Sequence, residues 1–298
     1  MLINKIKRLI KFLFYFNEFI FNKNIINRKK FIKDSKINFF PKEENYWISV
    51  ALEIARAADL NNGKYFFLNK EVILHLASQN SKLGYRLLEK IQSHLKGEEL
   101  LNKCTTPSWG SPFLLKKYPF ASPTTLSHLA NLLSIYDSFG QELKLYKSFV
   151  DFGGGYGGLA RCLHQISSKI NISIVDLILM HYVQKKYLNH TLDFDEQILF
   201  FKDINELNGN YEIFNASFSF SEISLEKRRE IENFIIKKCS KLHIIFQSNF
   251  NNINNNKYMN DFSTRLKAEG WQVSIKPYDW YGWDSVSVMT GKSSDSPN

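Results

Sequence analysis

Residues 149–161 read Phe-Val-Asp-Phe-Gly-Gly-Gly-Tyr-Gly-Gly-Leu-Ala-Arg, and little else in the chain is so restrictive. A short apolar run ends in Asp151, passes through five glycines within six residues, and leaves with Leu159, Leu163 and Ile166 at helical spacing. Strand, glycine turn and helix in this order form the first βα unit of a parallel α/β domain. There, bare peptide N–H groups and a helix N-terminus can meet an anionic or nucleotide ligand. Side chains at Gly153, Gly155 and Gly157 would obstruct that approach, and a turn so tight calls for positive φ. The glycines admit two chemistries. Gly153, Gly155 and Gly158 satisfy G-x-G-x-x-G, a weak dinucleotide signature, whereas Asp151, Gly153, Gly155 and Gly157 satisfy D-x-G-x-G-x-G.

The second pattern resembles motif I of class I methyltransferases that use S-adenosylmethionine. The resemblance implies that Asp151, Gly153, Gly155, Tyr156 and Gly157 bind that cofactor, with the carboxylate near its methionine end. A nicotinamide enzyme usually carries an apolar residue at the place of Asp151, so the methyltransferase reading is preferred. Downstream the alternation of strand and helix patterns is regular, with strands expected at 146–152, 172–175, 198–201, 211–216 and 242–246. Two closing strands follow at 271–276 and 284–290. The expected fold is thus α/β, a Rossmann-like seven-stranded class I methyltransferase sheet preceded by a mostly α-helical N-terminal region. The segments are 1–40, a basic amphipathic stretch; 41–140, a helical cap; and 141–298, the cofactor domain.

Asp176 ends the second strand, twenty-three residues after Gly153, where a carboxylate can accept from both hydroxyls of a ribose. Its alternative is a helix N-cap. Asp203, beyond the third strand, is placed to meet an adenine amino group. After the fourth strand comes Phe218-Ser219-Phe220-Ser221-Glu222. Glu222 is the candidate general base, or else an acid favoured by the dipole of the next helix. Tyr278, Trp280, Tyr281, Gln247 and Asn249 are the candidate acceptor-binding residues, because flat rings stack on pyranose C–H faces and amides hold hydroxyls. Trp283 is expected in a small apolar core closing the sheet edge. His181 is expected in the core, and His243 at the start of strand five, remote from the chemistry.

Residues 151–161 and 122–129, Val175-Asp176-Leu177 and the Ser-Phe-Ser-Glu segment together resemble the sugar O-methyltransferase family of bacterial surface-polysaccharide gene clusters. That likeness spans roughly residues 105–290. It implies transfer of a methyl group to a sugar or glycolipid hydroxyl. The departure is Leu177-Ile178-Leu179, which stands where the family has a proline and an acidic pair. Two other functions use the same glycines: a nicotinamide-dependent sugar oxidoreductase and a non-catalytic cofactor-binding scaffold.

Composition narrows the remainder. Of the net charge of +10, residues 1–40 carry +8, with ten Lys/Arg against two acids, so the rest is nearly neutral and a nucleic-acid partner is not expected. Within 1–21, Leu2, Ile6, Leu9, Leu13, Phe16 and Ile20 share a helical face opposite Lys5, Lys7, Arg8 and Lys11. That pattern suits either peripheral contact with the inner membrane face or packing on the protein itself. The expected location is cytoplasmic. Cys104, Cys162 and Cys239 have no metal-type spacing and are expected reduced and buried, the last two on helices; no structural metal is expected, while a loop carboxylate such as Asp279 leaves weak Mg²⁺ assistance open. Pro107, Pro112, Pro119 and Pro123 make 105–125 an ordered loop, expected to act as a lid through Trp109 or simply to link two domains. Helices are expected around Trp47, Ala51, Ile54 and Ala58; after an N-cap at Asn69; around Leu87, Leu88, Ile91 and Leu95; and from Ser122. The run 251–256, rich in Asn, reads as a surface loop.

Overall fold

The computed structural model describes residues 42–192 and 197–294; the amphipathic and linker expectations for 1–40 lie outside them. Nine strands are named among the described residues, and seven form one sheet in the order β3-β2-β1-β4-β5-β9-β8. Its members are β1 (Ser148–Phe152), β2 (Asn171–Val175), β3 (Ile198–Phe201), β4 (Tyr211–Ser217), β5 (Cys239–Gln247), β8 (Trp271–Pro277) and β9 (Val286–Ser293). β1 pairs in parallel with both β2 and β4, and β4 with β5, whereas β9 runs antiparallel between β5 and β8. The expected seven-stranded sheet and preceding helical region are therefore both present. The order reverses at β1, so the loops leaving β1 and β4 diverge and open a crevice at their carboxyl ends.

Helices cover both faces because a largely parallel sheet must bury both. Preceding β1 are α1 (Lys42–Asp59), α2 (Lys70–His75), α3 (Ser81–Ser93), α4 (Gly97–Lys103) and α5 (Pro123–Phe139). After it come α6 (Gly158–Ile166), α7 (Ile178–Thr191), α8 (Leu225–Lys238) and α9 (Asn255–Ala268). Strand residues alternate between two cores. Phe149, Ile172, Ile174, Ile213 and Ile245 join the helices of the N-terminal region with α6 and α7, while Val150, Phe152, Phe214, Leu242, Ile244 and Phe246 pack with α8 and α9.

Local chemistry sets several boundaries. Asn69 caps α2, its Oδ1 accepting from the Glu71 and Val72 N–H groups, and Ser122 caps α5 by accepting from Thr125 N–H. α5 ends at Gly140 with φ 62°. Four expectations need correcting. Leu95 is 85% exposed, because α3 stops at Ser93 and the helical period no longer applies beyond it. Cys239 begins β5 instead of ending α8, so β5 starts earlier than expected and His243 sits in its middle. The Asn-rich run is a short hairpin, β6 (Asn249–Phe250) with β7 (Ile253–Asn254), followed directly by α9, which Asn254 caps. Within it Asn255 is fully buried, accepting from Arg228 Nη1 and donating to the Gln247 carbonyl.

The proline-rich segment is an ordered loop tied by Thr106 N–H to the Phe120 carbonyl and Leu115 N–H to the Ala121 carbonyl. Trp109 inserts among Phe66, Phe67 and Tyr187, with ring centroids 5.1–6.3 Å apart. Its ring is thus occupied by an aromatic cluster that seats the loop on the helical region. Cys104, Cys162 and Cys239 are all free and buried. Among the described residues, no helix is long and apolar enough to cross a membrane, and no group of three or more His, Cys, Asp or Glu could hold a metal ion.

Candidate active site at the carboxyl ends of β1 and β4

The glycine turn follows β1 directly. Gly153 has φ 69°, and a Cβ there would lie 2.3 Å from the Ser219 Cβ, so the Ser219 side chain after β4 packs directly on the turn leaving β1. Gly155 has φ 57°, and a Cβ there would meet only Leu76 Cδ2 at 3.5 Å. That open side, roofed by one leucine from the end of α2, is where backbone can come close to a ligand.

Asp151 is 3% exposed. Its Oδ1 accepts from Asn215 Nδ2 at 3.1 Å, but its Oδ2 has no partner. Burial pushes the carboxyl up to about 6, against the Asn215 hydrogen bond. Oδ2 lies 3.2 Å from where a Cβ on Gly154 would stand, which places it against the turn. A second orphaned acceptor is close by: Gln184 of α7 is fully buried, and its Oε1 is unpartnered. The Gln184 amide Nε2 donates to the Gly155 carbonyl at 2.9 Å and to Asp176 Oδ2 at 2.8 Å. Buried acceptors left unmet cost about 1–3 kcal/mol each, so the turn is built to receive hydrogen-bond donors.

Asp176 stands where the sequence placed it, at the end of β2 and half-buried. Its Oδ1 accepts from Leu177 N–H at 2.8 Å. Burial raises its carboxyl to about 7, helped by Asp151 nearby and opposed by the bonds from Leu177, Gln184 and Gly155. Tyr156 turns away from the crevice. It is buried, its hydroxyl 3.1 Å from His128 Nε2, and its ring packs edge-on against Phe67 and Tyr187. What Tyr156 offers a ligand at the turn is backbone. The Asp203 carboxylate is engaged on both oxygens, by Asn205 N–H and by Lys227 Nζ at 2.8 Å. Lys227 and the Asn205 N–H hold it below the usual carboxylate range despite its desolvation.

Across the crevice, Ser219–Glu222 forms a single 3₁₀ turn after β4. Gln247, at the end of β5, donates from Nε2 to Glu222 Oε1 at 3.1 Å and accepts on Oε1 from Ser221 Oγ at 2.9 Å. Two predicted residues therefore meet. The Gln247 bond engages Oε1, and burial raises the Glu222 carboxyl to about 7. Fully buried Arg228 fixes this corner, donating to the carbonyls of Ser221 and Ile223.

Just before the turn, Phe218 adopts φ 69° and ψ −39°, unusual for a bulky residue. Such a conformation costs about 1–3 kcal/mol and persists where the surroundings over-determine it. Here Phe218 N–H bonds the Ile245 carbonyl at 2.7 Å, and its ring stacks on Tyr281 at 6.2 Å and 12°. The pattern of the sequence carries no signal for this backbone, since glycine or asparagine is its usual mark.

The aromatic loop between β8 and β9 divides differently from expectation. Tyr278 and Tyr281 are buried at 2% and 9%, whereas Trp283 is 46% exposed and Trp280 is half-buried against His94. Trp283 thus does not close the sheet edge; the two tyrosines do, stacked edge-on 4.9 Å apart. Lys90 of α3 donates to the Asp279 carbonyl at 2.6 Å, tying this loop to the N-terminal helices. Asn249 is exposed on the hairpin. His181 is half-buried against Phe200, while His243 is fully buried in mid-strand.

No family model matches the sequence, and no curated protein matches it. Solved structures are similar in part. Human N-acetylserotonin methyltransferase, in complex with SAM, shares 14% identity over 57% of this chain and 55% of its own, with a TM-score of 0.38. An O-methyltransferase family protein from Burkholderia thailandensis shares 12% over 59% and 61%, at 0.41. Magnesium protoporphyrin IX methyltransferase from Synechocystis, with bound SAM, shares 14% over 58% and 81%, at 0.44. The likeness spans less than two thirds of the first two proteins. At such identities and scores it carries no argument about activity, which rests on the residues of this chain.

Proposed function

We propose that the protein is an S-adenosylmethionine-dependent O-methyltransferase, with a sugar or glycolipid hydroxyl as acceptor. The observation that carries this reading is the buried, half-satisfied Asp151 carboxylate set against an open glycine turn at the switch point of the sheet. Two orphaned acceptors, Asp151 Oδ2 and Gln184 Oε1, suit an ammonium group, and S-adenosylmethionine carries one at its methionine end. Peptide amides of the turn suit the neighbouring carboxylate, and Asp176 suits a ribose diol once it releases Gln184. The residues present fit the cofactor.

When bound, S-adenosylmethionine supplies a methyl group on a sulfonium that a hydroxyl oxygen can attack in line. The chain's part is positioning and proton removal. Holding the two reactants in an attack geometry can contribute about 7–11 kcal/mol. Glu222, its Oε1 steadied by Gln247, accepts the hydroxyl proton on Oε2; burial raises it to about 7, near the operating range of a general base. Trp280 and Trp283, the accessible rings of the β8–β9 loop, stack on a pyranose, and Asn249, exposed on the β6–β7 hairpin, offers an amide to a hydroxyl. The sugar class comes from the sequence resemblance and these rings.

The test is a radiolabelled methyl-transfer assay of the full chain on cell-envelope sugars and glycolipids, alongside a fluorescence titration with NADH. Label in a sugar product that falls away in Glu222→Gln supports the reading. Binding of NADH without binding of the sulfonium overturns it in favour of an oxidoreductase. Binding of the sulfonium with no label in any acceptor leaves a scaffold.

A further inference from the structure

His243 was expected to be remote from the chemistry, yet it lies in a line of buried polar groups that ends on Asp151. The sheet register sets Asp151 beside Asn215, and Asn215 beside His243, on three adjacent strands. In-register residues project to the same face, here the one covered by α5. Asn215 Nδ2 donates to Asp151 Oδ1 at 3.1 Å, Asn215 Oδ1 is 3.1 Å from His243 Nδ1, and His243 Nε2 is 2.9 Å from Ser134 Oγ on α5. Asn215 and His243 are fully buried, and Ser134 is 5% exposed.

With Asp151 ionised, the directions of these bonds follow. A carboxylate only accepts, so the Asn215 amide must turn its NH₂ to Asp151 and its oxygen to His243. His243 Nδ1 must therefore carry the proton, which leaves Nε2 as acceptor for the Ser134 hydroxyl. Burial holds the imidazole neutral, its pKa lowered to about 3 with Lys276 of β8 contributing. Every donor then points from α5 toward Asp151. The same helix meets the crevice at one further place, where Asn131 Nδ2 donates to Ser217 Oγ at the end of β4.

We propose that Ser134, His243 and Asn215 are positioning residues that hold Asp151 ionised and aimed at the glycine turn, making α5 of the N-terminal region a working part of the cofactor site. The proposal rests on the S-adenosylmethionine reading for its consequence, though not for the chain itself. A carboxylate buried this deeply would otherwise take up a proton and cease to attract a cation. Asp176 also carries charge near Asp151, and the like charges oppose each other's ionisation, which makes the donated bond from Asn215 more necessary.

Two measurements on the full chain test this separately. In ¹⁵N-histidine NMR, with His243 assigned by its absence in His243→Asn, the ring is expected as the neutral Nδ1–H tautomer from pH 5 to 8. The Nε2–H tautomer or an imidazolium would overturn the chain, whether or not any cofactor binds. In calorimetry with S-adenosylmethionine, wild-type affinity should fall as pH drops through about 6, the value to which burial brings Asp151. Asn215→Leu should move that midpoint up by about one unit, weakening binding roughly tenfold at pH 5 and about threefold at pH 6.5, yet hardly at pH 9. Ser134→Ala should move it the same way by less, with Ser134→Thr restoring it. A loss equal at every pH, or no loss, rejects the positioning role. No binding by the wild type at any pH rejects the cofactor reading and leaves the tautomer to judge the chain.

Discussion

The two faces of the sheet are built from alternate residues of the same strands, and they differ in kind. On the face toward α8 and α9, the central strands present Val150, Phe152, Phe214, Ala216, Leu242, Ile244, Phe246 and Met289, all buried hydrocarbon or thioether. On the face toward α5, apolar residues are interrupted by Asp151, Asn215 and His243, aligned across three strands. Those side chains act by packing alone, although Ser173 of β2, in register with Val150, and Arg228 of α8 are buried polar residues in the same layer. The second keeps polar groups in the interior that stability alone does not explain, since a buried acceptor left unpaired, as Asp151 Oδ2 is, costs about 1–3 kcal/mol. The difference teaches where the chemistry lies: under the N-terminal helices, with the opposite layer as support.

If that division holds, substitutions on the two faces should fail differently. Phe246→Ala, on the apolar face, should lower unfolding free energy by about 3–5 kcal/mol in denaturant titration, while the folded fraction keeps its cofactor affinity. Glu222→Gln should leave stability and cofactor affinity nearly unchanged and reduce the methyl-transfer rate about 10²–10³-fold, read by single-turnover assay. In the wild type that rate should rise with pH through about 7, because the base must be deprotonated, and the rise should disappear in Glu222→Gln. Asp176→Ala should weaken cofactor binding about tenfold through the lost ribose contact.

The smallest effect is one of linkage. Asp151, Asp176 and Glu222 all have native carboxyls raised, to about 6, 7 and 7. The folded state therefore binds these protons more tightly than the unfolded chain does. The stability they contribute is full below about pH 4 and is lost as pH rises through 6 to 7. The melting temperature of the cofactor-free protein should accordingly drift downward from pH 5 to 8, and the drift should shrink in Asp151→Asn. A drift in the opposite sense would mean that these carboxylates are paired, and the polar face differently built.

Much of this division was legible in the sequence. The apolar run into Asp151 and the glycines located β1, its turn and the switch point, because a tight strand-to-helix turn needs positive φ, which Gly153, Gly155 and Gly157 adopt. The caps Asn69 and Ser122 were readable for the same reason: their chemistry is local. Glu222 and Gln247 were placed in the crevice from strand order, although their mutual hydrogen bond was not foreseen. What stayed hidden depends on register. His243 lay one strand boundary away from its proper reading, since Cys239 and Lys241 do not look like strand, and β5 begins there because β4 pairs with it from Cys239 and β9 from Lys241. Asn215 was an unremarked polar residue inside a strand, and its meaning appears only when Asp151 and His243 stand on either side. Gln184 lies eight residues past Asp176, within reach only because α7 folds back over the turn. Trp283 and the two tyrosines exchanged roles because alternation within a loop has no fixed period.

The most direct test of the central claim is calorimetry of S-adenosylmethionine at pH 8 against the wild-type chain and Asp151→Ala. The account predicts one cofactor per chain for the wild type and at least about a hundredfold loss in the variant, about 2.7 kcal/mol. Equal affinity in the two proteins, or binding whose crystallographic density lies away from Gly155, would contradict it.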